Sequence, residues 1–439
     1  MRRLYKILPY IGLFFLFLIW NLLIQPLNLD EVWNYGFAHN IYTGLIPYRD
    51  FNMIITPFYP MVMALPFFIF GSNMLIFHIE QAIFLTITCY FLFQLFKERA
   101  WILLLLFFFP LTLTFPSYNS FLILLYVLVF YLEKQEGNDY IIGLLLGLLI
   151  LTKQSVGLCL LLPSLYYFAN KKKFMKRLVG CLIPLLLFLG YMLLTSSFAS
   201  FFDLCIMGLF DFAAGNGKIS FWFISGLVLI FGTCFYIWKT KKGLYGFYTL
   251  AFYSIMIPLF DINHFQLAVF ALLMLVFDSR KVRLPPLLLP LFSLVSIVGI
   301  FIVTIFYRAS DGFLYPNSLS HFEYRLLDKS SVLFTEEVNA FIKEHSAKEI
   351  VFLNSNAYYF RLVNDMPITY LDLINTGNWG YHGSDKLFAA VKEKRDAIFV
   401  IDKNELSFKK QTDKRVLKYI MEKGKKIKTI RIYDFYVLE

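Results

Sequence analysis

Asp30, Glu31, His39, Arg49 and Asp50 fall within one stretch, Asp30 to Gly71, that directly follows the first hydrophobic segment. Trp33, Tyr35, Tyr42 and Tyr48 stand among them. Nearly everything else in the first 306 residues is apolar segment or short basic loop, so this cluster is out of keeping with its surroundings. Carboxylates set beside cations suit one kind of chemistry. A carboxylate takes the proton from an attacking hydroxyl, while Lys or Arg stabilises the charge on a departing phosphate. The electrophile between them would be a sugar anomeric carbon carried on a lipid phosphate.

The elements that position such a site are membrane helices. The chain has 439 residues, is 59% hydrophobic and only 16% charged, and has a mean hydropathy of +0.63. Soluble domains carry about a quarter charged residues. The apolar residues come in blocks of spanning length separated by short charged loops, the pattern of a polytopic helical membrane protein. The net charge of +11 does not indicate nucleic acid, because the Lys and Arg of the first 306 residues sit in loops between apolar blocks. That is the topogenic use of positive charge. The five cysteines lie in or beside apolar segments without ligand spacing, which implies neither a disulfide framework nor a zinc site.

Arg2, Arg3 and Lys6 precede the apolar run Ile7–Ile24, which has no small-residue cleavage site and reads as a retained span with a cytoplasmic N-terminus. Further blocks run roughly 74–96, 100–115, 119–132, 140–152, 155–169, 178–195, 221–238, 244–260, 264–277 and 284–306. Basic loops at Lys97–Arg99, Lys171–Arg177, Lys239–Lys242 and Arg280–Arg283 are separated by four, two and two blocks. Even counts put all four on one side. If Thr56–Phe70 also crossed, every basic loop would lie outside, so Pro57–Phe70 is expected to lie in the outer interface. The result is a bundle of about eleven spans, N-terminus in and C-terminus out. Phe198–Phe212, with Asp203 and Asp211, is a second expected interfacial segment.

Residues 307–439 are charged, with short apolar runs among them. Glu349–Leu353 and Ala397–Ile401 read as buried strands, Lys386–Lys394 and Lys414–Lys423 as helices, and Ile427–Leu438 as one or two further strands. The expectation is a small α/β domain outside the membrane, with 1–306 forming the bundle.

By this topology the outer-side polar residues also include Asn119, Lys153, Asp203, Asp211, Lys218, Asp261 and His264. Each has a structural reading as well. Asp30 opens a helix ending near Gly44 and would serve as its N-cap, and Glu31 would favour the helix dipole. Arg49-Asp50 reads as a local ion pair or turn. Lys153 interrupts LLILTKQSVG on the side where positive charge is disfavoured, which argues for a role. His264 and Asp261 share a helix turn, and His78 and Glu80 lie within an apolar block where ionisable groups are functional candidates or pair with each other. Asn138 and the charges around it read as a solvated cytoplasmic loop.

The pattern DE-x3-Y…G-x2-PYRDF…TP…FG resembles the first outer loop of the GT-C glycosyltransferases. More narrowly, it resembles the superfamily of protein O-mannosyltransferases and lipid A aminoarabinose transferases. PSYNS at Pro116–Ser120, LTKQSVG at Leu151–Gly157 and DINH at Asp261–His264 follow in the same order, and the likeness covers roughly residues 1–306. The resemblance implies a GT-C-like bundle and a polyprenyl-phosphate sugar donor. It also implies a catalytic carboxylate at Asp30 with Glu31 beside it, and a lipid-phosphate contact at Lys153. The sequence departs from the pattern at Ile55-Thr56-Pro57, where some members have Glu-Lys-Pro, and at Asn119, where some have Asp. Asp50 or Asp203 would then supply the second acidic group. Arg49 joins Lys153 as a phosphate contact, and His39, Tyr48, His78, Glu80, Asn119, Asp203, Asp261 and His264 are candidate lining residues.

The reading is an inverting glycosyltransferase that moves a sugar from a polyprenyl phosphate to a glycan, lipid or protein acceptor of the cell envelope. Asp30 acts as base or holds a divalent cation. A transporter or flippase would show a two-fold repeat with charges near the midplane, and neither is evident. A polysaccharide polymerase or ligase of another fold would keep its large loop late in the bundle. An anchored interaction protein built on residues 307–439 would need one span.

Overall fold

A computed structural model of the protein describes the chain apart from residues 1–3, 109–113, 217–219, 242, 280–287, 311, 313, 375–376, 405–413 and 439. Arg2, Arg3, Lys218, the Arg280–Arg283 loop and parts of blocks 100–115 and 284–306 lie outside the described residues.

In hydrocarbon, backbone amides must be satisfied within the chain, so long apolar segments become helices. Five described helices are long and apolar enough to cross a membrane: Ile7–Ile24, Met74–Phe108, Lys171–Leu194, Phe221–Thr240 and Leu289–Ser310. Their outward faces carry large apolar residues, with Leu187, Leu194, Phe231 and Phe306 each more than two-thirds exposed. Such surface would make a soluble protein aggregate. Around a bundle it meets acyl chains. Shorter apolar helices lie between them, among them Asp139–Thr152 and Ile262–Asp278. Phe58–Phe70 is broken at Pro66 into Phe58–Ala64 and Phe67–Phe70. Its Tyr59, Met63 and Phe67 are buried while Leu65, Phe68, Ile69 and Phe70 are exposed, a one-sided pattern suited to an interface.

The helix Asp139–Thr152, which ends at Lys153, is held by close packing on Lys171–Leu194. Gly143 and Gly147 lie against Arg177 and Cys181, and Gly180 lies against Tyr140, so small residues on both helices let the backbones approach. A Cβ on Gly143 would stand 2.1 Å from the Arg177 carbonyl oxygen, and one on Gly180 would stand 2.2 Å from that of Tyr140. Gly143→Ala is therefore expected to lower stability by roughly 1–3 kcal/mol, as overpacking does. The check is the unfolding midpoint of the detergent-purified protein; an unchanged midpoint would show that the helices have room to part.

Below this crossing, Arg177 bonds Asp139 at 2.8 Å and forks onto Glu133, which also accepts from Tyr248 at 2.7 Å. Glu133 and Arg177 are buried. The charged run around Asn138 is thus not wholly solvated: Asn138 is exposed, but Glu133 is drawn inward by Arg177 of Lys171–Leu194.

The C-terminal residues form a four-stranded sheet in the order β1-β2-β4-β3, with β1 Ile350–Leu353, β2 Ile398–Asp402, β3 Gly424–Ile430 and β4 Tyr433–Leu438. β1 and β2 pair in parallel, and β4 is antiparallel to both β2 and β3. Side chains alternate across it. Ile350, Phe352, Ile398, Val400 and Phe435 pack with Val338, Phe341 and Phe360 in a core continuous with the bundle. Val351, Leu353, Phe399, Ile401 and Leu438 pack with Leu387, Val391, Leu417 and Ile420 on the other face. Ile427–Leu438 resolves into two strands, because Arg431 takes a positive φ and turns the chain between them. The amphipathic helix Lys329–Glu344 and the helix Ala357–Val363 were not foreseen from the sequence.

Candidate functional site

The helix Leu29–Tyr42 presents the central acid. Its N-cap is Asn28, whose Oδ1 accepts the Asp30 N–H at 2.8 Å. This overturns the capping alternative for Asp30, whose carboxyl is left to face a cavity of about 270 Å³. Trp33, Asn34 and Phe37, one helical turn or two further on, line the same cavity. Tyr118 and Asn119 enter it from the first turn of Tyr118–Lys134, which Ser117 and Ser120 cap reciprocally. Asp261 and His264 enter from the start of Ile262–Ser279, and Asn378 from the C-terminal region.

Lys153 stands in the bend between Asp139–Thr152 and Gln154–Leu161, outside both helices, with an extended backbone that ends the first. Its Nζ lies 3.5 Å from Asn119 Oδ1 and 5.2 Å from the centre of the Tyr118 ring, two cavity-lining side chains. Gln154 holds the bend by donating to the carbonyls of Ile54 and Cys205, each at 3.0 Å. Burial pushes Asp30 above the usual carboxylate range, raised further by Asp261 and opposed by His264 and Lys153. For Asp261 burial also raises, but the hydrogen bonds and charge of His264 outweigh it and hold that carboxyl low. His264 contacts Asp261 Oδ1 through both its backbone N–H and Nδ1, at 2.9 Å each. Burial lowers Lys153 to about 8, against the pull of Asp30 and Asp261. The two acids thus differ: Asp30 is the better proton acceptor and Asp261 the more persistent anion.

Other residues singled out in the sequence stand elsewhere. Glu31 points away from the cavity into a buried ion network with His78 and Arg325, each at 2.8 Å. Asp50 is paired with exposed Arg49 through two 2.9 Å bonds and accepts the Ile46 N–H at 2.8 Å, the turn-and-ion-pair arrangement. Tyr48 is buried with a positive φ, and its hydroxyl donates to the Ile55 carbonyl at 2.7 Å. His39 bonds Ser72 at 2.9 Å and meets the His321 ring edge-on. Glu80 is buried in Met74–Phe96, away from the cavity lining. Asp203 receives the Tyr381 N–H and the Lys386 ammonium, and Asp211 the Gly383 N–H, so both secure the C-terminal region. None of these lines the cavity. Asn378 and Arg325 carried no sequence signal, lying far along the chain in segments without a motif. Among the described residues, no group of three or more His, Cys, Asp or Glu side chains is arranged to hold a metal ion.

No family model matches the sequence, and no curated protein matches it. Solved structures do. The crystal structure of ArnT from Cupriavidus metallidurans bound to undecaprenyl phosphate superposes with a TM-score of 0.55 at 11% identity, over 99% of this chain and 97% of that one. The apo state of the same protein gives 0.56 at 10% identity, over 99% and 98%. The chain has a GT-C-like, ArnT-like fold. At that identity the likeness rests on architecture. It spans the bundle and the C-terminal sheet region together, although the motif resemblance reached only to about residue 306.

Proposed function

We propose that this protein is an integral membrane glycosyltransferase that moves a sugar from a polyprenyl-phosphate donor to an envelope acceptor. The observation that carries the reading is the convergence of Asp30, Asn119 and Asp261–His264 from three separate segments on one cavity in an ArnT-like bundle, with Lys153 behind that lining against Asn119. In the proposed step Asp30 takes the proton of an acceptor hydroxyl as its oxygen attacks the anomeric carbon. The bond from that carbon to the phosphate oxygen breaks, and configuration inverts. The departing polyprenyl phosphate keeps the electron pair, and Lys153 balances its charge. Asp261, kept anionic, takes the place foreseen for Asp50 or Asp203 as the second acidic group, stabilising positive charge on the sugar ring.

A larger apolar cavity of about 780 Å³ supports a lipid-linked donor. Met256, Ile257 and Phe260 line it, while Leu259 and Asp261 of the same segment line the polar one, so one run of chain borders both. A polyprenyl chain in the first would bring its phosphate toward the second. The topology proposed with this reading has about eleven spans, a cytoplasmic N-terminus, and the site and C-terminal domain on the outer face.

A bell-shaped dependence of kcat/KM on pH is expected, since that ratio reports the free enzyme. Asp30 must be ionised to act, and its raised pKa displaces the acid limb above the usual carboxylate value of about 4. Lys153 must be protonated, so the ratio falls as pH rises through about 8. A profile flat from pH 5 to 9 would contradict both assignments. In cells, the reading is tested by comparing envelope glycans with and without the protein; identical glycans would count against it.

A further inference from the structure

We propose that Arg325, acting through Glu31, is the positioning residue that sets Asp30 in the cavity; this rests on the reading of Asp30 given above. Asp30 and Glu31 are consecutive in the first turn of Leu29–Tyr42, about 100° apart around the axis. Asp30 lines the cavity while Glu31, a little over a quarter-turn around the helix, enters the buried packing, and whatever fixes Glu31 fixes the direction of Asp30. Arg325 is fully buried. Its Nη2 donates to Glu31 Oε2 at 2.8 Å, and its Nη1 donates to the carbonyls at the end of the first span, those of Asn21, Leu22 and Gln25. The other Glu31 oxygen meets His78 Nε2 of the Met74–Phe96 helix at 2.8 Å. One bundle helix and the segment entering the C-terminal region thus converge on one carboxylate, and the guanidinium ties it to the end of the first span as well.

That segment grips the helix a second time. His321 Nδ1 lies 2.7 Å from the Tyr35 hydroxyl, and the His321 carbonyl accepts the Met74 N–H at 3.2 Å. Glu31 and Tyr35 are four residues apart and so share a helix face. His321 and Arg325 clamp that face one turn apart, and Asn317 braces the clamp by donating to the carbonyls of Phe322 and Arg325. A buried ion pair adds little net stability compared with well-packed apolar side chains of similar size. Its planar fork instead supplies direction, because the guanidinium donates its N–H groups in one plane only. The ArnT-like bundle therefore has its acid oriented by a residue outside the bundle.

The test compares wild type, Arg325→Met and the double variant Glu31→Met/Arg325→Met as full chains in nanodiscs. Arg325→Met alone leaves Glu31 buried without its guanidinium, facing only His78 of the two, and should melt early. The double variant is expected to recover the melting midpoint, while its kcat stays about 10–100-fold low, the scale of a small misplacement. Its KM for a polyprenyl-phosphate sugar should remain within about twofold of wild type, as for an interaction made only in the transition state. Recovery of kcat together with the midpoint would overturn the proposal and make the network purely structural. Hydrogen exchange across Leu29–Tyr42 decides independently of catalysis. Faster exchange in the double variant than in wild type supports the clamp, and equal protection overturns it. A wild type that transfers nothing would sink the glycosyltransferase reading but leave the exchange result to judge the clamp.

Discussion

Asp30→Asn is expected to lower sugar transfer by about 10²–10⁴-fold, the usual contribution of a positioned general base. The amide has nearly the same shape as the carboxylate but cannot accept the acceptor hydroxyl's proton. The change should leave folding intact. Asp30 is not the helix cap, since Asn28 fills that role, and removing a charge held above its ordinary pKa by burial relieves desolvation rather than adding to it. Binding of undecaprenyl phosphate should also persist, because the phosphate contact is assigned to Lys153. Radiolabelled sugar transfer, measured beside the melting midpoint, separates the outcomes. Full activity in a well-folded Asp30→Asn protein would remove Asp30 from the mechanism.

Lys153→Met is the second large effect. Loss of one preorganised electrostatic donor to a developing anion costs about 10²–10³-fold in rate. Here it should appear in kcat/KM and in a weaker Kd for undecaprenyl phosphate, because the charge acts on the phosphate both before and after the bond breaks. Met keeps most of the length of the stem while removing the ammonium and its contact with the Tyr118 ring. Asn119 loses its 3.5 Å contact but lines a polar cavity that water can enter. A Kd unchanged from wild type would assign the phosphate elsewhere. Arg49, already forked onto Asp50 and far more exposed, is the poorer candidate, since an exposed ion pair contributes about 0–1 kcal/mol and holds its charge in solvent.

The parts of the molecule that follow from local chemistry were legible in the sequence. Apolar blocks became helices because hydrocarbon allows little else. Pro57, Pro60 and Pro66 marked a segment that breaks into two short helices. The strands Glu349–Leu353 and Ala397–Ile401 were found within a residue, since buried four- or five-residue apolar runs have few alternatives. Lys153 and Asp261–His264 stood out because charge within apolar sequence is costly and rarely idle.

What escaped was direction and distance. Asp30 and Glu31 are adjacent in sequence, and nothing local says which faces the cavity and which faces Arg325, almost 300 positions away. Asp50 was a candidate second acidic group as well as a local ion pair, and the structure shows the pair: a turn closed by the Ile46 N–H and Arg49 takes up its carboxylate. Asp203 sat on the expected side and was nevertheless taken up by Lys386 and the Tyr381 amide, partners in a region whose docking no motif announced. Asn378 reaches the cavity from that same region. Pairings across the whole chain are settled by tertiary packing, which hydrophobic periodicity does not encode.

In the proposed function, the cavity built around Asp30 transfers sugar from a polyprenyl phosphate. The most direct measurement supplies the purified full-length protein with a panel of undecaprenyl-phosphate sugars and an extract of envelope acceptors. It counts both undecaprenyl phosphate released and sugar transferred, in wild type and Asp30→Asn. One phosphate is expected for each sugar transferred by wild type, with near-complete loss of both in the variant. Equal turnover in the two proteins, or binding of undecaprenyl phosphate without transfer from any donor, would contradict it.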